Sequence, residues 1–173
     1  MDTGDILTQV TVPIAPDDTT ATLTEKLGTA GSHLLLETLP DWVERRLTPR
    51  KQSNEDATLC QLIERGDGKI VWSDDAESLY NRYRALTPWP GIYCFWRKKD
   101  NLLRLKLLTV SVQKMNPDHR QPIGMVSEIG EKVGVQTGNG ILFLEEVQLE
   151  GKSPMAIRDF LNGNDGFIGT LLE

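Results

Sequence analysis

The residues best placed for chemistry stand at the start of the chain: Asp2-Thr3-Gly4-Asp5, followed at once by an apolar, strand-like run from Ile6 to Val12. An acid-Thr-Gly-acid turn leading into a strand suits a functional loop, because Gly4 tolerates a positive φ and lets the backbone approach a ligand. An ordinary turn with two solvated carboxylates fits the same residues, and the motif alone leaves both readings open. Two cationic clusters could meet a polyanion. One is Arg45, Arg46, Arg50 and Lys51; the other is Arg97, Lys98 and Lys99, with Arg104 and Lys106 close behind. Lys98 and Lys99 fall at an expected hairpin tip. Arg104 and Lys106 fall on the strand face opposite Leu103, Leu105 and Leu107, where cations reach phosphates without disturbing a core. Short basic clusters are also common as solvated surface, and that reading stays open too.

The remaining chemistry-bearing residues are isolated. Cys60 and Cys94 form no metal-ligand spacing and read as small packing residues in a reducing cytosol. His33 falls in an apolar stripe and His119 in a Pro-rich loop, neither with a nucleophile or metal partner in sequence. No metal site is expected.

Composition sets wider limits. A chain of 173 residues, 39% of them hydrophobic, can bury one good core or two small ones. The longest aliphatic run is Leu34-Leu35-Leu36, too short to span a bilayer, and no basic and apolar leader opens the chain. A cytoplasmic protein without membrane contact is expected. The net charge is −6, and the acidic excess lies within residues 1–88. That sign does not announce a nucleic-acid binder, so any such role rests on the local patches.

These residues need elements to position them, and three parts can be read. Residues 1–47 give the strand over Ile6–Val12, then helix. Asp17-Asp18-Thr19-Thr20 offers capping groups, Thr22 and Glu25 have capping-box spacing, and Leu23, Leu27, Ala30 and Leu34 share one face. Gly28, Gly31 and Pro40 predict an interruption before a second helical stretch toward Leu47. Residues 48–72 read as a polar linker closing on Ile70-Val71-Trp72. Residues 73–173 open with a helix capped by Ser73, with Leu79, Tyr80, Tyr83 and Leu86 inward and Pro88 as its stop. Five strands follow: 92–97, 102–113, 123–129, 132–137 and 140–150. In the second, the apolar phase switches from Leu103, Leu105 and Leu107 to Leu108, Val110 and Val112, which predicts a β-bulge. Ser153-Pro154 then starts a short helix ended by Gly163. The expected fold is an α/β remnant followed by a five-stranded, OB-like β-barrel domain with a C-terminal helix.

Five motifs in order carry a family resemblance: DTGDIL at 2–7, DDTTATLTEKL at 17–27, DGKIVW at 67–72, TPWPG at 87–91 and TGNGILFLEEVQLEGKSPMAIRDFLNG at 137–163. Together they resemble the carboxyl-terminal half of the methionyl-tRNA formyltransferases, within the wider folate-dependent formyltransferase group. The resemblance implies that residues 1–47 are the last strand and helices of a Rossmann-like formyltransferase domain and that residues 73–173 bind tRNA. It implies formyl transfer from 10-formyltetrahydrofolate to the methionine amino group of methionyl initiator tRNA, by an enzyme that works as a monomer. It places the catalytic aspartate at Asp2, orienting a proton-shuttling histidine beside an asparagine that steadies the oxyanion. Asp5 is then a structural carboxylate of the same loop. The Asn-x-His motif and the main folate site would lie upstream of Asp2, so the chain is expected to be a fragment, inactive alone. Two other readings remain at this point. One is a stand-alone RNA- or protein-binding OB-like module; the other is part of a sugar-nucleotide formyltransferase.

Overall fold

Thr19 starts the first element by exchanging two hydrogen bonds with Thr22: each backbone N–H donates to the other's hydroxyl. This is seen in a computed structural model that describes residues 3–113 and 121–173. The chain divides into two units, residues 1–62 and 63–173. In the first, helix α1 (Thr20–Val43) runs unbroken. The interruption expected at Gly28, Gly31 and Pro40 is absent. Each glycine costs about 1 kcal/mol against alanine, which 24 residues can absorb, and Pro40 lies near the end of the helix. No residue of α1 is buried: Leu23, Ala30 and Leu34 are half-buried, while Leu27 and Leu39 are exposed.

The strand expected over Ile6–Val12 does not form. A strand needs a neighbour along its length to satisfy its backbone groups, and here only Ile6 has one, in a single antiparallel bridge to Arg50. Before the helix, Asp18 is held by everything around it. Its carboxylate accepts from the Ala15 N–H at 2.7 Å and the Thr22 hydroxyl at 2.9 Å, with the Lys26 ammonium at 2.7 Å and 2.8 Å from its two oxygens. The Lys26 hydrogen bond, then that of Ala15, lowers its pKa from 3.8 to about 2.

The expected linker divides at the unit boundary, since residues 63–72 go with the second unit. Ile70 and Trp72 are core there, at 2% and 5% exposure. Helix α2 (Ala76–Leu86) is capped by Asp75, whose side chain accepts from the Ser78 N–H, rather than by Ser73. Leu79 and Leu86 are buried and Tyr80 and Tyr83 pack against the core, as the sequence predicts.

The sheet comprises β1 (Ile92–Lys98), β2 (Asn101–Gln113), β3 (Val126–Ile129), β4 (Lys132–Gln136) and β5 (Ile141–Leu149), in the antiparallel order β1-β2-β5-β4-β3. The two-residue β6 (Met155–Ala156) also pairs with β5. The bulge lies where the phase switch predicts it: Leu107 faces Val147, Thr109 faces Glu146 and Val110 faces Leu144. Helix α3 (Ile157–Asn162) begins later than Ser153-Pro154 implies, with Ala156 as its N-cap, because Met155 and Ala156 are first used to pair with β5.

Residues 169–173 close the curled sheet. On one side, Leu172 donates to the Gly124 carbonyl at 2.9 Å and Val126 to the Thr170 carbonyl at 2.9 Å. On the other, Phe95 and Glu173 exchange two bonds of 2.8 and 2.9 Å. One short segment thereby joins the β1 edge to the β3 edge. Gly124 has φ +81°, and a Cβ there would meet the Leu172 carbonyl oxygen at 2.7 Å, so only glycine fits the seam. Beneath it Trp96, Phe160 and Phe167 pack edge to face with centroids 5.0 to 5.7 Å apart.

Two outcomes are expected. Phe167→Ala empties a fully buried site beside Trp96 and should cost about 3–5 kcal/mol, measured by denaturant unfolding followed in the near-UV circular dichroism. For Asp18 the folded pKa lies below the unfolded one, so its contribution is complete above pH 4 and is lost as pH falls toward about 2. Helicity followed by far-UV circular dichroism should decline over that window in the native chain, and Asp18→Asn should lower it at neutral pH and flatten the decline.

Candidate catalytic loop and nucleic-acid interface

Asp2 lies outside the described residues, but the loop that follows it is well defined. Ile6 and Arg50 exchange backbone hydrogen bonds of 2.9 Å each. The Gln52 amide donates to the Gly4 carbonyl at 2.7 Å, and the Arg50 guanidinium donates to the Gln9 side chain at 2.6 Å. Residues 50–52 therefore clasp the loop, and the exposed Asp5 sits beside them. Between the two segments is a groove of about 400 Å³, lined by Thr3, Ile6, Lys51, Gln52, Asn54 and Asp56 among others. In the sequence this stretch reads as a polar linker, and Gln52 does not stand out in it. The only signal was an amide at the end of the basic run Arg50-Lys51.

The cations of the first patch have different surroundings. Arg46 is held by Asp41 at 2.5 Å and by Glu44. Arg50 serves the clasp, Lys51 lines the groove, and Arg45 is an exposed residue in the left-handed region, φ 59°.

The second patch is drawn into the barrel at its tip and open on its face. Arg97 pairs with Glu173 at 2.8 Å. The Lys98 ammonium donates to Asn164 at 2.8 Å and lies 5.2 Å from the centre of the Trp96 ring. Lys99 is exposed at the turn with φ 54°. Arg104 and Lys106 point away from the core, as the alternation of β2 requires, while Leu105 and Leu107 are buried. With Gln148, Glu150 and others they line a hollow of about 150 Å³.

The isolated residues resolve simply. Cys94 is buried, and burial pushes its thiol pKa up. Cys60 is exposed, contrary to the packing role expected of it, because residue 60 lies in a stretch without secondary structure. His33 is exposed on α1, beside an open hollow of about 500 Å³ lined by Val12, Lys26 and Ala30 among others. His119 lies outside the described residues. Among those described, no group of three or more His, Cys, Asp or Glu could hold a metal, and no helix is long and apolar enough to cross a membrane.

Comparison with known proteins gives this geometry its context. Residues 62–165 match the family model described as "Formyl transferase, C-terminal domain". The chain belongs to that family. It is 37% identical over 163 residues to methionyl-tRNA formyltransferase of Roseiflexus castenholzii, covering 94% of this chain and 50% of the relative. It is 35% identical over 173 residues to the enzyme of the same name from Caldanaerobacter subterraneus, covering 100% and 54%. The formyl transferase C-terminal domain chain thus spans about half the length of the curated relatives it matches, and it is homologous to their carboxyl-terminal half. The fold recurs in HypX from Aquifex aeolicus in complex with tetrahydrofolic acid, at TM-score 0.64 and 15% identity over 92% of this chain and 28% of that one. It recurs also in the N-formyltransferase from Helicobacter canadensis in complex with folinic acid and dTDP-3-aminofucose. There the TM-score is 0.59 and the identity 18%, over 83% of this chain and 51% of that one.

If the clasp holds the loop, Gln52→Ala should speed hydrogen exchange of the Ile6 amide severalfold while leaving the amides of α1 unchanged. Nuclear magnetic resonance exchange rates would read this directly.

Proposed function

We propose that this chain is the carboxyl-terminal part of a methionyl-tRNA formyltransferase, a cytoplasmic enzyme acting as a monomer. It would move a formyl group from 10-formyltetrahydrofolate to the α-amino group of methionine on initiator tRNA during translation initiation. One observation carries the reading. The similarity of 35–37% to enzymes of that name runs through both units, the clasped loop after Asp2 as well as the barrel. For the sugar-nucleotide alternative, the likeness to the Helicobacter canadensis enzyme is one of fold, at 18% identity.

In this reading the methionine amine attacks the formyl carbon and a C–N bond forms while negative charge gathers on the formyl oxygen. The amine gives up a proton, the bond between the formyl carbon and N10 of the folate breaks, and N10 takes up a proton as tetrahydrofolate leaves. Asp2 supports the proton acceptor electrostatically and fixes its orientation. The clasp of Arg50 and Gln52 holds Gly4 and Gln9 of the loop that follows. The histidine, the asparagine and the main folate site belong to the amino-terminal half. The open side of α1, with Leu27, Leu35 and Leu39 exposed, fits a helix whose sheet is supplied by that half. The tRNA would follow cations outside the barrel core: Arg45, Arg46, Arg50 and Lys51 near the loop, and Arg97, Lys98, Lys99, Arg104 and Lys106 on the barrel. Contacts of this kind position the tRNA backbone and add affinity more than discrimination.

Purified residues 1–173 should not formylate methionyl-tRNA, since a lone carboxylate cannot also supply the proton relay and the oxyanion contact. A longer protein carrying the upstream half should do so. In it, Asp2→Asn should lower kcat on the order of 10²–10⁴-fold with tRNA affinity unchanged. Formylation by the 173-residue chain above a no-enzyme control would overturn the division of labour. A parallel collapse of tRNA binding in Asp2→Asn would make Asp2 structural.

A further inference from the structure

Strand β1 turns its odd-numbered side chains outward, and two of them are aromatic. Ile92, Cys94 and Trp96 are buried at 1%, 0% and 1% exposure, which leaves Tyr93 and Phe95 on the outer face, half-buried. The two rings meet edge to face, with centroids 5.7 Å apart and planes at 89°. The antiparallel register sets Lys106 opposite Tyr93 and Arg104 opposite Phe95. The Arg104 guanidinium lies 5.7 Å from the Tyr93 ring centre. Beyond the other edge of β1, Lys69 makes a parallel bridge to Tyr93 and holds its ammonium 5.5 Å from the Phe95 ring centre.

Lys69 is fixed in that place by its backbone. Ile70 donates to the Tyr93 carbonyl at 2.9 Å, and the turn before it is pressed against residue 91. A Cβ at Gly68 would lie 2.1 Å from the Gly91 carbonyl oxygen, so no other residue allows the approach. Three cations and two aromatic rings are thereby assembled on one outer surface. The hollow lined by Arg104, Lys106 and Gln148 continues it across β2 and onto β5. The carboxylate at its border, Glu150, accepts from the Arg104 backbone N–H at 3.3 Å.

We propose that this face, Lys69, Tyr93, Phe95, Arg104 and Lys106, binds unpaired nucleotides of an RNA. Bases would stack on the Tyr93 and Phe95 rings, Lys69 and Arg104 would move off those rings onto the phosphates, and Lys106 would meet a phosphate beside them. The chemistry is the interleaving itself. A duplex hides the faces of its bases, so rings add nothing to its recognition, whereas an unpaired strand offers a base plane and a phosphate at each step. An acidic peptide would use the cations and leave the rings idle. The inference rests on the RNA-facing reading of the barrel given above and deepens it by naming the part of the RNA that is met.

The test uses the 173-residue chain with two fluorescein-labelled probes, a twelve-nucleotide single-stranded RNA and a hairpin of the same composition, followed by fluorescence anisotropy across a salt series. The single strand should bind more tightly than the hairpin. Tyr93→Leu and Phe95→Leu should each weaken it on the order of tenfold, and Tyr93→Phe, which keeps the ring, should not. Arg104→Gln and Lys106→Gln should each flatten the log–log salt slope by roughly 0.7. Far-UV circular dichroism and thermal melting verify that each variant is folded. Equal affinity of Tyr93→Leu and Tyr93→Phe would overturn the proposal, as would a hairpin or a polyglutamate peptide that binds as tightly as the single strand. Because no formylation is measured, failure here leaves the assignment of Asp2 untouched, and failure of that assignment leaves this face to be judged alone.

Discussion

The second unit depends on one seam, the pairing of residues 169–173 with β1 on one side and with 124–126 on the other. A curled five-stranded sheet has two free edges, each presenting unpaired N–H and C=O groups. The closing segment satisfies both edges at once, and Leu172, 5% exposed, adds its side chain to the core beneath. The aromatic cluster of Trp96, Phe160 and Phe167 draws one member from β1, one from α3 and one from the loop leading to the seam. Closure and core formation are therefore coupled. Neither the edge nor the cluster can be completed without the other.

This closure accounts for the fate of the hairpin cations. Arg97 and Lys98 stand where the seam and α3 reach β1, so they are taken up by Glu173 and Asn164. Both pairs are exposed or partly so, and surface pairs of this kind contribute little to stability. They do set where the charges lie. Lys99 remains exposed at the turn, while Arg104 and Lys106 lie along the open face of β2. The tip thus spends part of its charge on contacts within the unit, while the strand face that the sequence assigns to Arg104 and Lys106 keeps its cations turned outward.

Much of the barrel was legible because it rests on local rules. The alternation of β1 and β2, the bulge near Leu108 and the apolar face of α2 each follow from residues a few positions apart. What failed did so where distant partners decide. Whether Ile6–Val12 becomes a strand depends on a neighbouring strand, and residues 3–12 find only Arg50. Ser153-Pro154 has the chemistry of a helix start, yet pairing of Met155 and Ala156 with β5 displaces it. Gln52 could not be singled out, since nothing in its own neighbourhood says that its amide reaches the Gly4 carbonyl. The site beyond Asp2 came from resemblance, not from residue patterns, for the same reason.

The amino-terminal unit shows how a loop can be ordered without a sheet beneath it. Its helix buries no residue completely, so tertiary packing contributes little to holding it. Order comes instead from polar contacts at both ends of the leading segment. At one end Gln52 and Arg50 fix residues 4–9; at the other Asp18 gathers Ala15, Thr22 and Lys26 at the helix start. Between them Thr8 meets Thr38 at 2.8 Å. A hydrogen-bonded frame of this kind is directional, and it fixes the path of the loop more sharply than an apolar contact of equal strength would. The apolar residues left open on α1 take no part in this frame, and the path of residues 4–9 is set by contacts made within the unit.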